Sequence, residues 1–403
     1  MKGGSTVLID YNHFLSKKAL SLKPSGIRRF FDLAAEMDDV LSLGVGEPDF
    51  RTPWLIREAG IDSLKKGRTW YTANAGLVEL RSEISKYLER RLGLEYSPKN
   101  ELFVTVGGSE AIDLCIRALI EPCDEMLLPE PCFVCYDPIC RMSGGTVVPI
   151  VTKEENDFRL TPEDLEVAIT PKSKLLVLPF PNNPTGGVMR REDLEPIAEI
   201  VRKYNLFVLS DEIYSELTYG GERHVSIAEL DGMRERTIVV NGFSKAYAMT
   251  GWRLGYAAGP APVISQMLKI HQFAIMSSPT TSQYAAIVAM RDCDEEVAAM
   301  VKEYDMRRRF LVEGLNNLGL HTFEPQGAFY VFPCIRSTGL SSTEFCEQLL
   351  QSQHVAVVPG DAFGDCGEGF VRISYSYSLD HLMEALQRIG RFVEECRMKS
   401  AGA

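Results

Sequence analysis

Short, almost wholly apolar runs recur along this chain, and between them the apolar residues fall on one face of a helix. LFVTV (102–106), EMLL (125–128), KLLVLP (174–179), LFVLS (206–210), TIVVN (237–241) and RLGYAA (253–258) read as strands. Several are apolar throughout, as expected of strands covered on both faces. SEAIDLCIRALI (109–120) places Ile112, Cys115 and Leu119 on one helical face, and REDLEPIAEIVRKYN (191–205) has the same character. This alternation predicts an α/β fold: a mostly parallel sheet with helices on both faces. Beyond residue 260 the pattern changes. A long helical stretch (294–318), strand signals at AFYVFP (328–333), VAVV (355–358) and FVRISY (370–375), and a terminal helix predict a smaller α+β unit. The N-terminal segment is expected to join that unit or lie over the cleft. The expected division is 1–45 with the small domain, 46–290 as the large domain, and 291–403 as the rest of the small one.

Composition narrows the function. With 403 residues, 45% of them hydrophobic and 24% charged, the chain can bury a large core without disulfides or metals. A net charge of −12 argues against nucleic acid and against anionic membrane surfaces. No run approaches the roughly 20 apolar residues of a membrane span. The opening MKGGSTVLIDYNHFL is interrupted by Asp10, Asn12 and His13, unlike a signal peptide, so a cytoplasmic location is expected. Ten cysteines include a CxxC at Cys132 and Cys135, but no second pair or neighbouring histidine supplies a metal set, and reduced thiols are expected.

Four stretches carry chemistry. In TVGGSEAI (105–112) a strand ends, two glycines follow and a helix is expected to begin at Ser109. Its free N–H groups suit an anion, although Ser109 also reads as a plain N-cap. In PNNPTGG (181–187), turn chemistry accounts for the prolines, yet Asn183 falls at a strand's carboxyl end, where ligands of open α/β sheets bind. VLSDEIYSEL (208–217) ends a strand on Asp211, either an N-cap or a carboxylate in a partly dry crevice that needs a cationic partner, with Tyr214 one helical turn on. VVNGFSKAYAMTGWRLGY (239–256) sets Ser244, Lys245 and Arg253 after another strand. An anion cradle, an amide, a carboxylate with a tyrosine and an amine with a guanidinium thus share the strand ends of one sheet. The ligand they demand carries a phosphate, a basic ring nitrogen and a carbonyl that a lysine can capture. Pyridoxal 5′-phosphate meets all three requirements.

The ordered set SGIRRFFDLA (25–34), LGVGEPDF (43–50), YTANAGL with Tyr71, GGSEA, PNNPTG, SDEIY, NGFSKAYAMTGWR, GAFY (327–330) and PGDAFGDCGEGFVRIS (359–374) resembles the fold-type I, class I/II aminotransferases nearly end to end. The resemblance implies a large domain with a mostly parallel seven-stranded sheet and a smaller α+β domain. It implies that Lys245 carries the cofactor covalently and that Asp211 pairs with its ring nitrogen. Tyr214 and Asn183 would bond its phenolic oxygen, while Gly108, Ser109, Ser244 and Arg253 hold its phosphate and Phe133 stacks on its ring. Arg372 would grip the substrate carboxylate beside the backbone of Gly46. Tyr71 would reach the phosphate of a second subunit, hence a homodimer. Some members carry a serine where Gly242 stands here. Phe30 and Phe31 are expected in the core. The motifs resemble aromatic and broad-range members most, with an L-amino acid as donor and a 2-oxo acid such as 2-oxoglutarate as acceptor. Aspartate-preferring members tend to carry a lysine in the slot of Ser109. An aspartate or N-acetyl-diaminopimelate aminotransferase, or a carbon–sulfur β-lyase, would keep the same cofactor residues.

Overall fold

A computed structural model describes residues 9–24, 26, 37, 39–221 and 223–401; Phe30, Phe31 and nearly all of the 25–34 run lie outside this set. Strand β1 is Leu41–Ser42, and seven strands follow: β2 (Leu102–Thr105), β3 (Glu125–Glu130), β4 (Thr146–Val151), β5 (Ser173–Leu178), β6 (Phe207–Asp211), β7 (Thr237–Gly242) and β8 (Gly255–Ala258). These seven form one sheet in the order β2-β8-β7-β6-β5-β3-β4. Pairs among β3 to β7 are parallel, whereas β8 runs antiparallel to both β2 and β7.

The continuous apolar runs have a direct cause. Met126 and Leu128 pack into one cluster with Phe103, Ile112, Ile116 and Val177, while Leu127 packs into another with Leu176, Ile197 and Val208. Neighbours along a strand point to opposite faces, and both faces are roofed by helices. Burying each such side chain contributes about 1.5–3 kcal/mol. Strand β4 escapes the sequence pattern because it is the edge strand: TVVPIV is half exposed, and Pro149 is tolerated there because an edge has no partner for its missing N–H.

Past the long helix Asp294–Asn317 lie β9 (Tyr330–Val331), β10 (Val355–Ala356), β11 (Val358–Pro359) and β12 (Val371–Ser374), with helices Ser342–Gln353 and Leu379–Ala401. Strands β11, β12 and β9 form an antiparallel sheet, and β10 pairs in parallel with β1, so Leu41 faces Val355. Among the described residues no helix is long and apolar enough to cross a membrane. All ten cysteines are free thiols, six of them buried.

Candidate active site

A cavity of about 330 Å³ opens at the carboxyl end of the seven-stranded sheet, a size suited to a small cofactor. Gly46, Gly108, Ser109, Phe133, Asn183, Asp211, Tyr214, Ser244, Lys245, Arg253 and Arg372 all line it. Tyr71 does not line it: its side chain is 77% exposed on the same chain. Topology explains the gathering. The parallel strands deliver their C-terminal residues to one edge, and because β8 runs the other way, its entry delivers Arg253 to that edge too.

Asp211 ends β6 and is buried. Its Oδ2 accepts a 2.7 Å hydrogen bond from the Tyr136 hydroxyl, and its Oδ1 accepts from the Ile213 N–H at 3.2 Å. Burial pushes its carboxyl up to about 6, with these two donors pulling the other way. Among the described residues no cation lies within ion-pair distance of it, which leaves an anion in a dry wall awaiting a cationic ligand. Residues 213–216 form a turn rather than the expected helix, so Asp211 caps no helix and Tyr214 is reached through that turn. The Tyr214 hydroxyl lies 2.8 Å from that of Tyr330.

Lys245 follows β7 and donates to the carbonyl of Gly46 at 2.6 Å. Burial brings its amine down to about 8; the positive charges of Arg372 and Arg253 act in the same direction, and the Glu47 carboxylate opposes them. Glu47 in turn accepts from Thr250 Oγ1 at 2.7 Å at the cavity wall. Arg372 comes from β12 and is 3% exposed. It donates through Nη1 to Asn183 Oδ1 at 2.8 Å and through Nη2 to the Gly44 carbonyl, and its guanidinium lies 4.6 Å from the Tyr330 ring centroid and 4.9 Å from that of Phe363. Among the described residues its Nε is buried without a partner.

At the anion end the helix begins at Gly107 rather than at Ser109, with Val106 flanking it. Ser109 is therefore a first-turn residue, not the N-cap. Gly107 has φ +76, and a Cβ there would stand 2.7 Å from Arg253 Nη2; a Cβ at Gly255 would stand 2.6 Å from the Gly107 carbonyl carbon. Glycine is required at both positions for the guanidinium to approach the helix start. The Val106 N–H is taken by Glu110 Oε2, and Glu110 Oε1 lies 2.7 Å from Nδ1 of the buried His271. RLGYAA begins as a strand only at Gly255, because Arg253 is left-handed (φ 51) after a 3₁₀ turn.

The donor set fits pyridoxal 5′-phosphate: an anion cradle that a Cβ would fill, a buried carboxylate lacking a cation, and an amine held near neutrality. Sequence reasoning missed Tyr136 and Glu47. Tyr330, although inside the quoted GAFY run, was given no role.

The comparisons with known proteins agree. The family model for aminotransferase class I and II matches residues 38–389. YugH of Bacillus subtilis, named only as an aminotransferase, is 53% identical over 95% of this chain and 99% of its own. An aspartate aminotransferase of Pyrococcus abyssi is 46% identical over 94% of this chain and 97% of its own. The crystal structure of an aromatic aminotransferase from Pyrococcus horikoshii superposes with a TM-score of 0.88 at 45% identity, covering 92% of this chain and 99% of that one. With this geometry and these relatives, the chain belongs to the class I and II aminotransferases and is a pyridoxal-phosphate-dependent transaminase.

Proposed function

We propose that the enzyme moves the amino group of an L-amino acid, aromatic or of broad range, to a 2-oxo acid such as 2-oxoglutarate. When bound, the cofactor supplies an electron sink for the electrons left at the substrate's Cα. The chain's residues do the rest. Lys245 would hold the cofactor and, as a free neutral amine, would take the proton from the substrate's Cα and give it back to the product. A neutral amine is required for this, and an amine at about 8 supplies one near neutral pH. Asp211 keeps the ring nitrogen protonated. Tyr214 and Asn183 hold the phenolic oxygen, and Phe133 packs on the ring. Gly108, Ser109, Ser244 and Arg253 hold the phosphate. Arg372, with the backbone at Gly46, grips the substrate carboxylate and orients the Cα–H bond.

The carrying observation is the cation inventory. Among the described residues the cavity is lined by three cations, Lys245, Arg253 and Arg372. Amine, phosphate and α-carboxylate use all three, so among the described residues of this chain none remains dedicated to a second carboxylate; this favours aromatic over acidic donors, and the second carboxylate of an acceptor such as 2-oxoglutarate is left to solvent or to groups outside this set. Two other readings use the same cofactor residues. One takes aspartate or an N-acetyl-diaminopimelate as donor; the other is carbon–sulfur β-elimination. A panel of amino donors tested against 2-oxoglutarate and pyruvate separates them. Aromatic donors are expected to give the highest kcat/KM. Preference for aspartate overturns the substrate assignment, and pyruvate and ammonia released from cystathionine without an acceptor indicate a lyase.

Tyr71, Trp70 (62% exposed), Trp54, Leu64 and Phe273 are large side chains each left exposed on the single chain, which supports a homodimer in which Tyr71 completes the other subunit's phosphate site. The same reading divides the chain into a large domain of residues 46–290 and a small one built from 1–45 and 291–403, and places it in the cytoplasm.

A further inference from the structure

Tyr136 begins the helix Tyr136–Ser143 and is 1% exposed. It is 75 residues from Asp211 in sequence, yet its hydroxyl donates to Asp211 Oδ2 at 2.7 Å. Its ring packs in the apolar cluster on one face of the sheet, against neighbours that a phenylalanine would also satisfy. We propose that Tyr136 is a positioning residue for the transamination, fixing the Asp211 carboxylate as the anionic partner of the cofactor's ring nitrogen. The proposal rests on the role assigned to Asp211 above.

The groups that face Asp211 make the case. Cys135, just before the same helix, and Glu212 and Tyr214, on the segment that follows Asp211, all lie within its electrostatic reach, and none is cationic. Burial disfavours the carboxylate, and among the described residues only the Tyr136 hydroxyl and the Ile213 N–H favour it. Burial, together with the adjacent carboxylate, pushes the Tyr136 phenol well above its ordinary range. It therefore keeps its proton at every working pH and serves as a fixed donor, not as an acid or base. A hydrogen bond to a charged buried group is among the stronger ones, and losing it leaves one oxygen unsatisfied.

The experiment follows cofactor affinity of the full-length chain against pH, with kcat and KM measured alongside. Tyr136→Phe is expected to move the acid limb of cofactor binding upward by about one pH unit and to lower kcat roughly tenfold, with KM for the amino donor little changed. Asp211→Asn is expected to abolish the limb, and adding Tyr136→Phe to it should change nothing further. If Asp211→Asn loses the limb while Tyr136→Phe keeps the wild-type one, the inference is overturned and the Asp211 role stands. If Tyr136→Phe shifts the profile in the Asp211→Asn background as well, Tyr136 acts elsewhere and the inference is again overturned. If Asp211→Asn leaves the limb in place, the Asp211 role falls and the inference with it. Should the phenylalanine variant not fold, 3-fluorotyrosine at position 136, a stronger donor of nearly the same shape, must move the limb downward; an unmoved limb rejects the proposal.

Discussion

The amine of Lys245 donates to the carbonyl of Gly46 at 2.6 Å, joining the loop after β7 to the segment that follows β1. The amine sits at about 8, so its neutral fraction grows as pH rises through that value. Single-turnover proton removal at Cα is expected to accelerate toward pH 8 and level off above it. Lys245→Ala is expected to lose the visible absorbance of the attached cofactor and about 10²–10⁴-fold or more in turnover. A Lys245→Ala protein turning over at the wild-type rate would contradict the assignment.

Asp211 allows a measurement of stability without cofactor. Its folded carboxyl, at about 6, lies above the ordinary value of 3.8. The associated stability is fully present below 3.8 and is lost as pH rises through about 6. In the cofactor-free chain Asp211→Asn is therefore expected to raise stability at pH 8 by up to about 3 kcal/mol, with no gain near pH 3.5. Thermal melts across that range check the sign. The same variant, loaded with cofactor, is expected to be nearly inactive.

Arg372 presents a planar fork that lysine cannot reproduce. Arg372→Lys is expected to lower kcat/KM for amino donors by roughly 30-fold or more, since a buried charge pair costs about 2 kcal/mol or more to disrupt, while the cofactor spectrum stays unchanged. Arg372→Leu should also move the Lys245 titration upward, because Arg372 is the strongest positive charge holding that amine down. The pH dependence of the reaction of this amine with an amine-specific reagent, followed in the cofactor-free chain, reads this shift directly.

Tyr71 provides a test of assembly. Tyr71→Ala and Lys245→Ala proteins, each nearly inactive alone, are expected to regain activity when unfolded and refolded together. In a mixed dimer the Tyr71→Ala subunit keeps its lysine and receives the tyrosine of its Lys245→Ala neighbour, so one site of the two is whole. No recovery, with mixed dimers demonstrated by mass, would remove Tyr71 from the shared site.

The sheet was legible wherever strands are buried on both faces, as at Leu127 and Leu128, because continuous apolarity leaves few other elements possible. β4 was not, since its edge position lets Pro149 and exposed residues in. Nor was the direction of β8 legible: GYAA is equally apolar read either way, and only its pairing of Val239 with Ala258 reveals the reversal. At the site, residues at strand ends were recognisable from their chemistry. Tyr136 was not, because its meaning arises from a contact made only by tertiary packing, and the helix start at Gly107 depends on a positive φ and on Glu110 taking the Val106 N–H.

The pairing of β1 with β10 has a consequence for biosynthesis. Leu41 must wait for Val355, more than three hundred positions later, before its edge is closed. The guanidinium at 372 emerges from the ribosome later still. A nascent chain therefore already contains the lysine and the aspartate that line the cavity while the wall that carries residue 372 has not yet been made, so the cavity cannot close before that residue has been added.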